Sequence, residues 1–370
     1  MQKSLLSTLS LALVGCQLLV NKSQLKGTTP SESDKTLADT IALGMSYPYE
    51  REAGSYLFVN GKAYPYEFLG RDLLADATLR VSGKVVQTDT FLTDLKKEKK
   101  FSKPAPLSER TPVIAYGSNA AVSTLTRKFM SEKFARGWAV IPVLKGTIKN
   151  FEVVHAAHFV PVNGSFPAGF AYSSGAESEV WISFLDSEEL ERMHASEGID
   201  DASPESWYAY GRLDNIKIQI PGWQELNSAF VYIDNYGALQ ISGTSAALAK
   251  VPAKTRSPKA SMADALASVE NVFNQFPVSN EVAKKCSRWT GPEKRLCENI
   301  SDPCVRDDRT QALLEAKRVA FWNLPANSGV TFTRLAGSEK AGHPKAFPEA
   351  MRCVRTAAPQ GTPYSTPQSK

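Results

Sequence analysis

The stretch Pro112-Val113-Ile114-Ala115-Tyr116-Gly117-Ser118-Asn119 decides the fold. Its apolar, β-branched opening suits a short buried strand. Gly117, Ser118 and Asn119 then break the strand and turn the chain into a helix predicted to run through Ala135 and stop before Gly137. Working outward, residues 139–143, 152–160 and 179–184 read as strands. Asp186 follows as a helix N-cap with Glu189 at the capping-box position. Leu190 and Met193 mark the apolar face, and Gly198 stands just past the end. Two alternating stretches, 215–220 and 229–233, read as further strands. Upstream, Asn60-Gly61 between Leu57-Phe58-Val59 and Lys62-Ala63-Tyr64 predicts a hairpin, and residues 96–110 read as a connection. Downstream, a basic, proline-containing linker over 249–259 leads to helical patterns over 262–276 and 307–322.

A strand ending in Tyr116-Gly117-Ser118-Asn119 and turning into a helix resembles the entry motif of the gamma-glutamylcyclotransferase family. Two further segments follow in matching order and spacing. Glu179-Val180-Trp181 opens a strand that leads through a helix to Glu197-Gly198, and Phe230-Val231-Tyr232 matches a late family strand. The resemblance covers residues 111–239. It implies an α+β fold, a mixed β-barrel with flanking helices. It also implies Glu179 as the catalytic acid/base, a substrate-binding turn at Tyr116, Gly117, Ser118 and Asn119, a small gamma-glutamyl substrate and no cofactor. Glu177, two residues from Glu179, is the second candidate for the acid/base. The chain departs from the family where Ile182 replaces a usual glycine and Ala120 a bulkier apolar residue. A branched side chain at Ile182 is expected to crowd the pocket.

The chemistry asks for these residue types. A gamma-glutamyl compound carries its own nucleophile, an α-amine that closes on the γ-carbonyl to give 5-oxoproline and a free amine. The protein must fold the substrate, and one carboxylate must take and return a proton. Backbone N–H groups at a tight turn suit the developing oxyanion, and glycine at 117 permits close approach. The alternative is a non-catalytic binding or scaffolding protein that keeps the fold.

Other chemistries have weaker support. His155 and His158 are three apart on an expected strand and point to opposite faces, so no metal site is expected. No G-x-S-x-G occurs. Tyr172, Trp207, Tyr208 and Tyr210 read as core or pocket wall, with Tyr208 or Tyr210 placed to line the cleft. A content of 42% hydrophobic and 22% charged residues excludes wholesale disorder in these 370 residues. The net charge of +5 is dispersed except at Lys96, Lys97, Lys99 and Lys100, which is too little for a nucleic-acid face.

Lys3, an apolar run over 5–14 and Leu13-Val14-Gly15-Cys16 resemble a bacterial lipoprotein signal. Cleavage before Cys16 would leave its thiol to carry a diacylglycerol. That lipid would anchor the chain to the membrane of the cell envelope, the outer membrane in a host with two. Residues 1–15 are then the signal peptide and 16–45 the tether. A strand-rich extension occupies 46–110, the family-like domain 111–245, a helical cysteine-bearing region 246–356 and a Pro/Ser/Thr-rich tail 357–370. In an oxidising envelope Cys286, Cys297, Cys304 and Cys353 read as two disulfides, with three connectivities open; zinc fits less well because no C-x-x-C pair exists.

Overall fold

The computed structural model describes residues 32–99, 102–199, 206–316 and 318–337. Cys16, the signal segment, Cys353 and the 357–370 tail lie outside them.

Four strands precede the motif: β1 (Tyr56–Val59), β2 (Lys62–Phe68), β3 (Thr78–Val81) and β4 (Lys84–Gln87). The β1–β2 hairpin turns at Asn60 and Gly61, both at positive φ as a two-residue hairpin loop requires. Five strands then form the centre: β5 (Thr111–Ala115), β6 (Val140–His155), β7 (Ala168–Leu185), β8 (Tyr208–Gln219) and β9 (Leu226–Asp234). Their order is β7-β5-β9-β8-β6, and β6 pairs again with β7, which closes a barrel. The β5–β9 pair is parallel and the other pairs around the ring are antiparallel, so the barrel is mixed. β1 continues the sheet from the edge of β6, and the strand Thr331–Gly337 pairs with β8.

The period-2 pattern of the strands sorts side chains between two cores. Ile114, Leu144, Ile148, Val180, Ile182, Leu213, Val231 and Ile233 fill the barrel. Val113, Ala115, Trp181 and Leu185 face outward under α3 (Val122–Phe129) and α4 (Ser187–Glu197), where Leu125, Phe129 and Met193 cover them. This α+β barrel with flanking helices is the architecture expected from the sequence.

Local expectations change in several places. The helix after the turn is only Val122–Phe129, because the chain leaves it in a series of turns that ends at Gly137, held at φ +70. β6 and β7 run as one long hairpin, where the sequence suggested separate shorter strands. An irregularity between Lys149 and Phe151, with Asn150 at φ +64, shifts the register without ending the ladder. Residues inside the expected tether form helix α1 (Glu32–Ser46), with Leu37 and Ile41 buried in the main core.

Beyond the barrel, α2 (Thr88–Lys99) belongs to the N-terminal extension. α5 (Met262–Ser268), α6 (Glu270–Gln275), α7 (Asn280–Lys285), α8 (Gly291–Ser301) and α9 (Pro303–Glu315) make the C-terminal region largely helical. α9 starts earlier than expected because Asp302 caps it, accepting from the Val305 N–H. A disulfide joins Cys286, at the end of α7, to Cys297 in α8. Cys304 is disulfide-bonded as well.

Candidate functional site

β5 delivers Tyr116 to the end of the barrel, and the chain passes at once into a single 3-10 turn, Ser118–Ala120. The Tyr116 ring stacks on Phe170 and its hydroxyl donates to the Tyr232 carbonyl at 2.6 Å, which fixes the start of the turn. Gly117 is needed for space. A β-carbon there would lie 2.8 Å from the Tyr47 hydroxyl oxygen and 3.1 Å from the Ala168 β-carbon.

Among the described residues, the turn lines a small pocket together with Tyr47, Ile114, Ala168, Tyr208, Tyr232 and one carboxylate, Glu197. Glu197 is the last residue of α4, and Gly198 ends that helix in the left-handed conformation at φ 65. Asn119 Nδ2 donates to Glu197 Oε1 at 2.9 Å. The Lys128 ammonium, carried by α3, forms an ion pair with the same oxygen. Burial lowers the Lys128 pKa below the ordinary lysine value, and Glu197 opposes that shift. Asn119 Oδ1 is a buried acceptor with no hydrogen-bond partner among the described residues. Burial, reinforced by the Glu197 charge, pushes the Tyr208 and Tyr232 phenols well above their usual range, so both are neutral hydroxyls. Tyr232 Oη shares a 2.8 Å hydrogen bond with His194 Nδ1.

Glu179 lies elsewhere. On β7 it faces the same side as Trp181, opposite to Val180 and Ile182. Its Oε2 accepts from Lys145 Nζ at 2.8 Å, and Arg51 Nη1 stands 4.0 Å from Oε1. It borders a cleft of about 410 Å³ with Ser55, Tyr66, Lys145, Thr147 and Pro221. The residues expected to act together are therefore divided. Tyr116, Gly117, Ser118 and Asn119 share a pocket with Glu197, whereas Glu179 shares its cleft with Lys145. Glu177 is half-buried and sits farther along β7, opposite Lys149 and Lys254. Ile182, expected to crowd a pocket, is fully buried in the barrel between Ile114 and Leu144 and lines neither cavity.

Of the remaining candidates only Tyr208 lies at the turn pocket, and the others take part in packing and hydrogen bonds away from it. Tyr208 lines the turn pocket, while Tyr210 stacks on Phe230 in the outer core. Tyr172 packs edge-on against Phe151. His155 Nε2 lies 3.0 Å from the Ala260 carbonyl, and His158 pairs with Asp234 at 2.8 Å between Trp207 and Tyr236.

Glu197 carried a signal in the sequence. An acidic residue directly before a helix-ending glycine opposes the helix dipole, and such broken local rules gather at functional sites. The Glu197-Gly198 pair also belongs to the resemblance itself.

No family profile and no curated protein matches the chain. Among solved structures it is similar to a protein titled gamma-glutamyl cyclotransferase, with 14% identity, a TM-score of 0.27, and coverage of 34% of this chain and 67% of the other. It is also similar to an uncharacterized human protein, with 15% identity, a TM-score of 0.27, and coverage of 48% and 86% respectively.

Proposed function

We propose that this chain is a cyclotransferase of gamma-glutamyl amines or small peptides, anchored to the cell envelope through Cys16, with Glu197 as its acid/base. The observation that carries the reading is the pocket in which, among the described residues, Glu197 is the one carboxylate lining the space beside the 116–119 turn. Glu197 takes a proton from the substrate α-ammonium, and the freed amine attacks the γ-carbonyl. Turn N–H groups and the neutral Tyr208 and Tyr232 hydroxyls are the donors for the developing oxyanion. After attack the ring nitrogen gives up its second proton as the C–N bond to the leaving group breaks. The departing amine takes one proton back from Glu197 and the second from the ring nitrogen and leaves as an ammonium, so the step is proton-neutral. Asn119 Oδ1, the acceptor without a partner among the described residues, would take an N–H of the substrate ammonium. Lys128 holds the carboxylate in place from behind.

The test is to incubate the purified protein with a panel of gamma-glutamyl amines, dipeptides and glutathione-like compounds and to assay 5-oxoproline. Release of 5-oxoproline with stoichiometric free amine supports the reading. No product from any panel member shifts it to the scaffold alternative.

A further inference from the structure

The turn pocket has a volume of only about 40 Å³. Small-molecule sites are typically ~300 Å³ or more, so the pocket as it stands has room for a few waters and not for a gamma-glutamyl group. Part of its wall is Tyr47, the first residue of segment 47–51, which enters directly from α1. The Tyr47 ring is buried against the turn, and its hydroxyl accepts from the Ala168 N–H at 2.8 Å. Four residues later Arg51 reaches back over the turn and Nη2 donates to the carbonyls of Tyr116, at 2.9 Å, and Gly117, at 3.3 Å. The segment thus uses polar groups at the rim that a substrate would otherwise meet.

We propose that Tyr47, clamped by Arg51, is the residue that decides what the pocket admits, and that segment 47–51 is a displaceable cover over it. This rests on the proposed function, since the pocket it covers is the one assigned there.

Two features make the cover displaceable. The Arg51 side chain is only 9% exposed, yet Nε and Nη1 have no hydrogen-bond partner among the described residues. The 4.0 Å separation from Glu179 is an ion pair too long for a hydrogen bond. A buried cation satisfied on one nitrogen only holds the closed arrangement weakly, and burial accordingly lowers its pKa below the ordinary guanidinium value. Tyr49, between the two anchors, is held at φ +75, a left-handed conformation that costs energy for a bulky side chain and is relieved when the segment leaves. Tyr49 adds one side-chain hydrogen bond, accepted from Asn163 Nδ2 at 3.0 Å, and an edge-on ring contact with Tyr47 at 5.4 Å against the main core.

The experiment uses the full chain and 5-oxoproline as the probe. Tyr47→Ala removes the ring that forms part of the pocket wall, and calorimetry should show 5-oxoproline binding at least about tenfold tighter than in the wild type. In the unmutated protein, limited trypsin cleavage after Arg51 should be slow and should accelerate several-fold when 5-oxoproline saturates the site. A folded Tyr47→Ala protein that binds no better than wild type overturns the cover. So does tryptic cleavage after Arg51 that ligand leaves unchanged, a readout that stands even where Tyr47→Ala does not fold. The two readings fail separately. If Tyr47→Ala gains 5-oxoproline binding but neither protein forms 5-oxoproline, the cyclisation falls and the cover stands. If the wild type turns over as fast as Tyr47→Ala, the cover falls and the cyclisation stands.

Discussion

A carboxylate in the last turn of a helix costs roughly 0.3–1 kcal/mol against the helix dipole. Glu197 occupies that place, immediately before the left-handed Gly198, and is compensated by Lys128 and Asn119. Asn119 should therefore act in binding more than in the chemical step. Asn119→Ala removes both its donor to Glu197 and the unpartnered acceptor to which the proposed function assigns the substrate ammonium. It should raise KM about tenfold and change kcat by a smaller factor, since one buried hydrogen bond to a charged group contributes roughly 1.5–3 kcal/mol. Steady-state kinetics that leave KM unmoved would remove Asn119 from the site. Ile182 gives the opposite case. Because it fills the barrel, Ile182→Gly should cost roughly 3–5 kcal/mol in chemical denaturation and improve nothing at either cavity. The difference in legibility between such residues is physical. The cap at Asp186 was readable because its partner is three residues away. The pairing of Asn119 with Glu197 spans 78 residues and needs the barrel to exist before the two meet.

At the scale of elements, α4 is the part that aims the carboxylate, and its far end is locked by buried charge. The Glu189 carboxylate accepts from Arg110 Nη1 at 2.8 Å, from Arg136 Nη2 at 2.7 Å and from the Val140 N–H at 3.0 Å, while Asp186 closes the capping box. Arg110→Ala strips one cation from a fully buried carboxylate and should cost roughly 3–5 kcal/mol, measured by urea unfolding. A loss below ~1 kcal/mol would mean that Arg136 suffices alone. The end of β6 gives a pH signature. Burial lowers the His155 pKa from 6.5 to about 4, so the folded state resists the proton that the unfolded chain accepts. Stability from this group is fully present above pH ~6.5 and falls as pH drops toward ~4, by an amount on the order of 3 kcal/mol. His155→Gln should flatten that part of the stability–pH curve, and an unchanged curve would assign the slope to other groups. The elements themselves were unevenly legible. The Asn-Gly hairpin, the capped helix and the closing strands followed from local chemistry. The length of β6 and β7 did not, because Lys149 and Asn150 interrupt the apolar alternation at an irregularity that the ladder tolerates.

For the whole molecule, the barrel is extended on both sides in sequence. β1 pairs with its edge, α1 buries Leu37 and Ile41, and the C-terminal helices are tied by the Cys286–Cys297 bond. Opening that bond in Cys297→Ser releases an 11-residue separation and should cost about 3 kcal/mol, read as a lowered Tm without reductant. The composition announced a substantial core and the cysteines announced disulfides. α1, by contrast, lies in a polar stretch where the sequence suggested only a tether, since Leu37 and Ile41 become apolar contacts only once the barrel and α8 are in place. The same dependence on the assembled molecule separates the two glutamates, one facing the 116–119 turn and the other a charged cleft with Lys145. The most direct test is to compare 5-oxoproline formation by Glu197→Gln and Glu179→Gln under identical conditions. Glu197→Gln should lose about 10²–10⁴-fold in kcat while Glu179→Gln stays within a few-fold of the wild type. Loss of turnover in Glu179→Gln with Glu197→Gln near wild type would contradict the assignment of Glu197 as the acid/base.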